Sequence, residues 1–196
     1  MELSLPSLEE IELELLRRPL EDDFYNFVIW VFDTIYKRPF KVNWHHRTLC
    51  NICMDIYNGD LLHTIINIPP RYTKTEIVVK LFTAWSFAKN PTCEFINLAY
   101  SDELALANSS AVREILLHEE FQKLWPIQFK KDSQAKKKWK TQDGGEMSAT
   151  ATGGSVTGFG AGKLGSTKFS GALIVDDPLK PEDGNSDTIR NSINNR

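Results

Sequence analysis

Short apolar runs alternating with helical stretches constrain this chain more than any other feature. Residues 61–68, Glu94–Ala99 and 172–175 are nearly continuous in hydropathy and rich in Ile, Leu and Val. Such runs suit strands buried on both faces of a sheet. Between them, residues 77–88 and 102–118 place apolar side chains at helical spacing, and Asn90-Pro91 breaks the first of these. Strand–helix–strand–helix order needs crossover connections, so the expectation is an α/β domain in three αβα layers on a mainly parallel sheet. Upstream, residues 7–17 read as an acidic amphipathic helix with Leu8, Ile11, Leu15 and Leu16 on one side. Residues 22–36 read as a largely buried helix that stops before Pro39, and 45–57 as a third helix closed by Asn58-Gly59. The chain therefore divides into a small helical N-terminal subregion, 1–58, and a core, 59–196. Two Gly-rich, strand-prone pieces, 147–152 and 155–159, precede the last apolar run.

At 41% hydrophobic and 25% charged, the composition excludes a disordered or fibrous chain. No run approaches the roughly 18 apolar residues of a membrane helix, so no membrane contact is expected. Met1-Glu2-Leu3-Ser4-Leu5 lacks the basic start of a secretory leader. Three cysteines are too few for a disulfide framework and favour a reducing, cytoplasmic setting. The net charge of −3 hides two poles. Residues 1–23 hold eight acids against Arg17 and Arg18, while 130–140 hold six lysines against Asp132. A local basic cluster can face a polyanion whatever the total charge, which makes Lys136, Lys137 and Lys138 candidates for a phosphate-facing patch, such as one that meets a nucleic-acid backbone. The same lysines equally suit a solvated loop, and Trp139 among them suits either a stacking platform or an anchor to the core.

The segment Ile68-Pro69-Pro70-Arg71-Tyr72-Thr73-Lys74-Thr75 follows an apolar run and opens a helix, the position of a phosphate loop. Such a loop cradles phosphates with backbone N–H groups at a helix start, reaches the outer phosphates with a lysine, and holds Mg²⁺ with a hydroxyl. Lys74 and Thr75 supply the last two, but Ile68 and Thr73 stand where the G-x-x-x-x-G-K-[ST] pattern has glycine. On its own the octapeptide reads as readily as a Pro-Pro turn before a helix. About a hundred residues later, Leu173-Ile174-Val175-Asp176-Asp177 is an apolar run ending in paired acids. Carboxylates at that position hold the metal and polarise attacking water in P-loop ATPases. The two features together, each at the end of an expected strand, favour nucleotide chemistry.

These motifs make the chain resemble the ATPase domain of the large terminase subunit of tailed bacteriophages, a P-loop NTPase of the ASCE, RecA-like kind. Residues 66–76, Ile-Asn-Ile-Pro-Pro-Arg-Tyr-Thr-Lys-Thr-Glu, look like its variant phosphate loop Pro-Pro-Arg-x-Gly-Lys-[Ser/Thr]. Residues 98–105, with Asn108 and Arg113, resemble its second strand and following helix. Glu120-Phe121 and Leu124-Trp125-Pro126 fit the end of that region, and 153–162 its Gly-rich hairpin. Residues 174–180, then Ser186 and Arg190, look like its Walker B strand and next helix. Trp44-His45-His46 falls where members have a Trp/His pair. The resemblance spans about residues 40–195.

The resemblance implies roles. Pro70, Arg71, Tyr72, Thr73, Lys74, Thr75 and Glu76 would surround the nucleotide, and Trp44 and His45 would lie on its adenine side. Lys74 would contact the β- and γ-phosphates, while Thr75 and Asp176 would hold Mg²⁺. Asp177, where many members have Glu, would activate water. Arg71 would stabilise transition-state charge in cis; Arg113 would contribute packing or an ion pair. The β-branched Thr73 stands where the loop has glycine, so it would either be strained or relax to ordinary φ. ATP and Mg²⁺ are the implied cofactors. Implied partners are double-stranded DNA, a small terminase subunit, the portal protein of the procapsid, and further copies in a ring, in the host cytoplasm. The chain would be the front part of a longer motor, lacking the nuclease half and hence nuclease activity. Another P-loop translocase or helicase, or a catalytically weak DNA- or capsid-binding remnant, is the alternative. His45, His46, Cys50 and Cys53 do not match a zinc spacing and read as a helix face turned to the core.

Overall fold

The computed structural model describes residues 6–154 and 160–179. Helix α1 (Leu8–Asp22) starts at a capping box in which Ser7 and Glu10 satisfy each other's backbone N–H groups. Asp23 caps α2 (Phe24–Trp30), which continues through a π-helical turn, Val31–Ile35. Asn43 caps α3 (Trp44–Asn58), and Gly59 closes it in the left-handed conformation at φ 86°. That ending matches the expectation from Asn58-Gly59, since glycine takes this φ without a Cβ clash. A second π-helical segment, Thr75–Leu81, leads into α4 (Phe82–Lys89). Strand β1 (Glu94–Ala99), α5 (Asp102–Leu117) and α6 (Glu119–Leu124) follow, then β2 (Phe129–Ala135), β3 (Lys138–Thr141), β4 (Glu146–Ala151) and β5 (Leu173–Asp176). The Gly-rich strand expected at 155–159 and the helix expected from Ser186 lie outside the described residues.

The five strands form one sheet in the order β2-β3-β4-β1-β5. Strands β4, β1 and β5 run parallel, whereas β2–β3 and β3–β4 are antiparallel. The α/β architecture is as expected, but the sheet is mixed. The difference arises in the lysine run, which is a hairpin rather than a loop. Glu146 draws Lys138 and Lys140 into ion pairs, each at 2.7 Å, and Trp139 is fully buried with its indole N–H donating to Ser109 Oγ at 3.0 Å. Trp139 is therefore an anchor.

Residues 61–68 are not a strand; they make no ladder hydrogen bonds, although Ile66 and Ile68 pack on the core. A cleft of about 190 Å³, lined by Leu62, Ile66, Val78, Leu173 and Val175 among others, separates this segment from β5. An apolar run is strand-like in sequence, but a strand needs a neighbour within bonding distance.

The helical subregion and the sheet share one core. Phe24, Phe27, Leu49 and Cys53 cluster with Phe82, Trp85, Phe95 and Phe121. Helix α1 docks through Leu13, Arg17 and Leu20, leaving Leu8, Ile11, Leu15 and Leu16 exposed, the reverse of the amphipathic expectation. Buried indoles decide this orientation: Trp85 donates to the Leu20 carbonyl and Trp125 to the Glu21 carboxylate. An unsatisfied buried N–H costs about 1–3 kcal/mol, comparable with burying one leucine. Gly171 (φ 136°) lets the chain enter β5 against β1, where a Cβ would meet the Glu94 carbonyl oxygen at 1.8 Å. No helix among the described residues is long and apolar enough to cross a membrane.

Candidate functional site

The parallel strands bring the two sequence motifs together. Register pairs Ala99 with Asp176, so β5 delivers Asp176 and Asp177 to the C-terminal edge of the sheet, where ligands bind in parallel α/β folds. The turn before Thr75–Leu81 lies at the same edge. Lys74 Nζ sits 2.9 Å from Asp177 Oδ1, and the Thr75 hydroxyl donates to Asp176 Oδ1 at 3.2 Å, contacts spanning 103 and 101 residues of chain. Asn108 on α5 donates to the other Asp176 oxygen at 3.4 Å.

A cavity of about 430 Å³ is lined by residues 68–76, Asp177 and Arg38. Glu76 is tied down by the Tyr36 hydroxyl and by Lys80 at 2.8 Å. Burial, then the Glu76 charge, raises the Tyr36 pKa, so the phenol stays protonated and remains a donor. A neighbouring cavity of about 470 Å³ shares Arg38, Arg71, Tyr72 and Thr73 and adds Phe32, Phe40, His45 and His46. Within it the His45 ring meets Tyr72 edge-on at 5.2 Å, and the buried His45 Nε2 has no hydrogen-bond partner. His46 Nδ1 accepts from the Asn43 N–H at 2.9 Å; burial, then the His45 ring, lowers its pKa and keeps it neutral. Trp44 points away, 77% exposed and outside this lining.

Four non-glycine residues among those described have positive φ: Lys37 (51°), Arg71 (69°), Thr73 (59°) and Asp177 (45°). All lie in or beside the cavity. Thr73 therefore does not relax to ordinary φ; it remains strained, its hydroxyl donating to the Tyr72 carbonyl at 2.7 Å.

The buried Asp176 carboxylate, 3% exposed, receives one hydroxyl and one amide, and among the described residues no basic group pairs with it. A buried carboxylate with so little compensation fits a divalent cation shared with the Thr75 hydroxyl. A larger groove, about 760 Å³ between α1 and α6, carries none of this chemistry. Arg113 lies over the Phe129 ring at 5.4 Å, a packing position. In the hairpin, Lys136 and Lys137 occupy the exposed turn, while Lys138 is engaged by Glu146. Cys50 and Cys53 are buried free thiols; burial pushes the Cys50 pKa to about 12, which suits packing rather than reactivity.

Sequence reasoning missed Arg38 and the role of Asn108. Arg38 follows a helix end with no motif around it; Asn108 belonged to a matched motif but announced no contact with an acid 68 residues away. No protein-family model matches the chain, and no curated protein matches it.

Proposed function

We propose that this chain is a Mg²⁺-dependent ATPase of the P-loop class, acting as the ATPase part of a viral DNA-packaging terminase. The observation that carries the reading is the pairing of Lys74 with Asp177 and Thr75 with Asp176. It unites a lysine, a hydroxyl and two acids at one helix start, the set that phosphoryl transfer from ATP to water uses. Mg²⁺ held by Thr75 and Asp176 would neutralise phosphate charge. Lys74 exchanges its Asp177 partner for the outer phosphates, which leaves the Asp177 carboxylate available to orient water and accept its proton. Arg71, which lines the same cavity, would stabilise charge on the transferred group. His45 offers an unpartnered ring nitrogen to the base. The strain at Arg71, Thr73 and Asp177 also favours a working site, because a decayed one has no reason to retain it.

The terminase assignment rests on the ordered motifs of the sequence, and the exposed Lys136-Lys137 turn supplies a surface suited to a DNA backbone. Double-stranded DNA, a small terminase subunit, the portal protein and a ring of like subunits are the partners this reading proposes. Titration calorimetry with ATP and Mg²⁺ tests the nucleotide half. Wild type binds and Lys74→Ala binds at least tenfold more weakly, the worth of about 1.4 kcal/mol. No binding by wild type, or equal binding by Lys74→Ala, overturns it.

A further inference from the structure

The outer-phosphate chemistry leaves Arg38 unexplained. It lines both the phosphate cavity and the aromatic cavity beside it, and so stands where the two meet. Its guanidinium carbon lies over two rings, 5.0 Å from the centroid of Phe32 and 4.9 Å from that of Tyr36. Among the described residues no carboxylate pairs with it. Tyr36 in turn donates to Glu76, the residue after Thr75, which ties the ring beneath Arg38 to the helix that follows the loop. The turn that presents it contains Lys37 at φ 51°, the one left-handed non-glycine residue described that does not itself line the phosphate cavity. Strain stored in the residue before a preoriented, unpaired arginine points to a task for that arginine.

We infer that Arg38 is a nucleotide-binding residue that clamps the inner phosphates, α and β, at the junction between base and phosphate cavities. The inference rests on the nucleotide-binding reading above. Its chemistry follows from the fork of guanidinium donors, which matches phosphate oxygens, while the contacts with the Phe32 and Tyr36 rings restrict the rotamer freedom binding would otherwise cost. Because α- and β-phosphates are common to ADP and ATP, Arg38 contributes equally to both. Lys74, which the proposed mechanism directs to the outer phosphates, contributes more to ATP. The clamp also joins the helical N-terminal subregion to the bound nucleotide, because Arg38, Phe32 and Tyr36 belong to that subregion.

The test is calorimetric titration of the 196-residue chain with ADP and with a non-hydrolysable ATP analogue, both with Mg²⁺, in wild type, Arg38→Ala, Arg38→Lys and Lys74→Ala. Circular dichroism melts confirm that each variant is folded. Arg38→Ala is expected to weaken both nucleotides by roughly 10- to 100-fold, the range of one charge-assisted contact. Arg38→Lys, which keeps the charge but not the planar fork, recovers only part of this. Loss for the ATP analogue alone would place Arg38 at the γ-phosphate and overturn the assignment. Unchanged affinity for both, or full recovery with lysine, would also overturn it while leaving the ATPase reading intact. Should wild type bind neither nucleotide, the ATPase reading itself falls, a result distinct from either of these.

Discussion

Replacing Thr73 with glycine tests the phosphate loop most directly, because the structure sets two opposing effects against each other. Thr73 holds φ 59°, a region that costs a β-branched residue about 1–3 kcal/mol. Glycine removes that strain but adds freedom to the unfolded chain, returning about 0.5–1 kcal/mol. The lost hydroxyl contact runs only to the adjacent Tyr72 carbonyl in a partly exposed loop, where water can replace it at little cost. The net expectation is stabilisation by about 1 kcal/mol, which for a chain of this length raises Tm by roughly 2–4 °C. Nucleotide should bind at least as tightly, since a loop without this Cβ can bring its N–H groups closer to phosphate. Thermal melts with and without Mg²⁺ and ATP, alongside calorimetry, read both quantities. A fall in Tm of several degrees, or a tenfold loss of affinity, would refute the reasoning and show that the Thr73 side chain itself does what glycine cannot.

Asp176→Asn removes a poorly compensated buried carboxylate and should raise the nucleotide-free Tm by roughly 2–4 °C while abolishing the further rise caused by Mg²⁺ with ATP; scanning fluorimetry measures both. His46 is held neutral in the folded chain, so the unfolded chain binds more protons below its ordinary pKa of 6.5. Stability contributed by His46 is thus complete above that pH and lost as pH falls below it. His46→Gln keeps a capping side chain without a titration, and melts from pH 5 to 8 (about the histidine range) should show a flatter acid side than wild type. Reversing the charge of Lys136 and Lys137 together should weaken DNA binding and reduce the salt slope by about 2, while Lys138→Ala leaves that slope nearly unchanged, as fluorescence anisotropy at several salt concentrations would show.

Much of the local structure was legible. Asn58-Gly59 closed α3, Asn90-Pro91 ended α4, and the apolar runs at Glu94–Ala99 and before Asp176 became β1 and β5. The lysine–hydroxyl pair and the paired acids were also readable, each as a short pattern at the end of an expected strand. Less legible were the fate of residues 61–68, the outward face of α1, the hairpin inside the lysine run, and Arg38. Each depends on a neighbour distant in sequence: a partner strand, the indoles of Trp85 and Trp125, the Glu146 carboxylate, or the rings of Phe32 and Tyr36 together with a loop more than 30 residues downstream.

The sequence by itself determined most of the helices, the close of α3 at Gly59, the break at Asn90-Pro91, and the residue types that nucleotide chemistry requires, because those signals act over a few residues of backbone. Only the tertiary structure decided that Lys74 and Thr75 meet Asp177 and Asp176, that Thr73 keeps its strain, and that Lys138 is engaged while Lys136 and Lys137 are exposed. The physical reason is that these outcomes follow from strand register and from buried polar groups seeking partners. Both are settled only when the core closes around them.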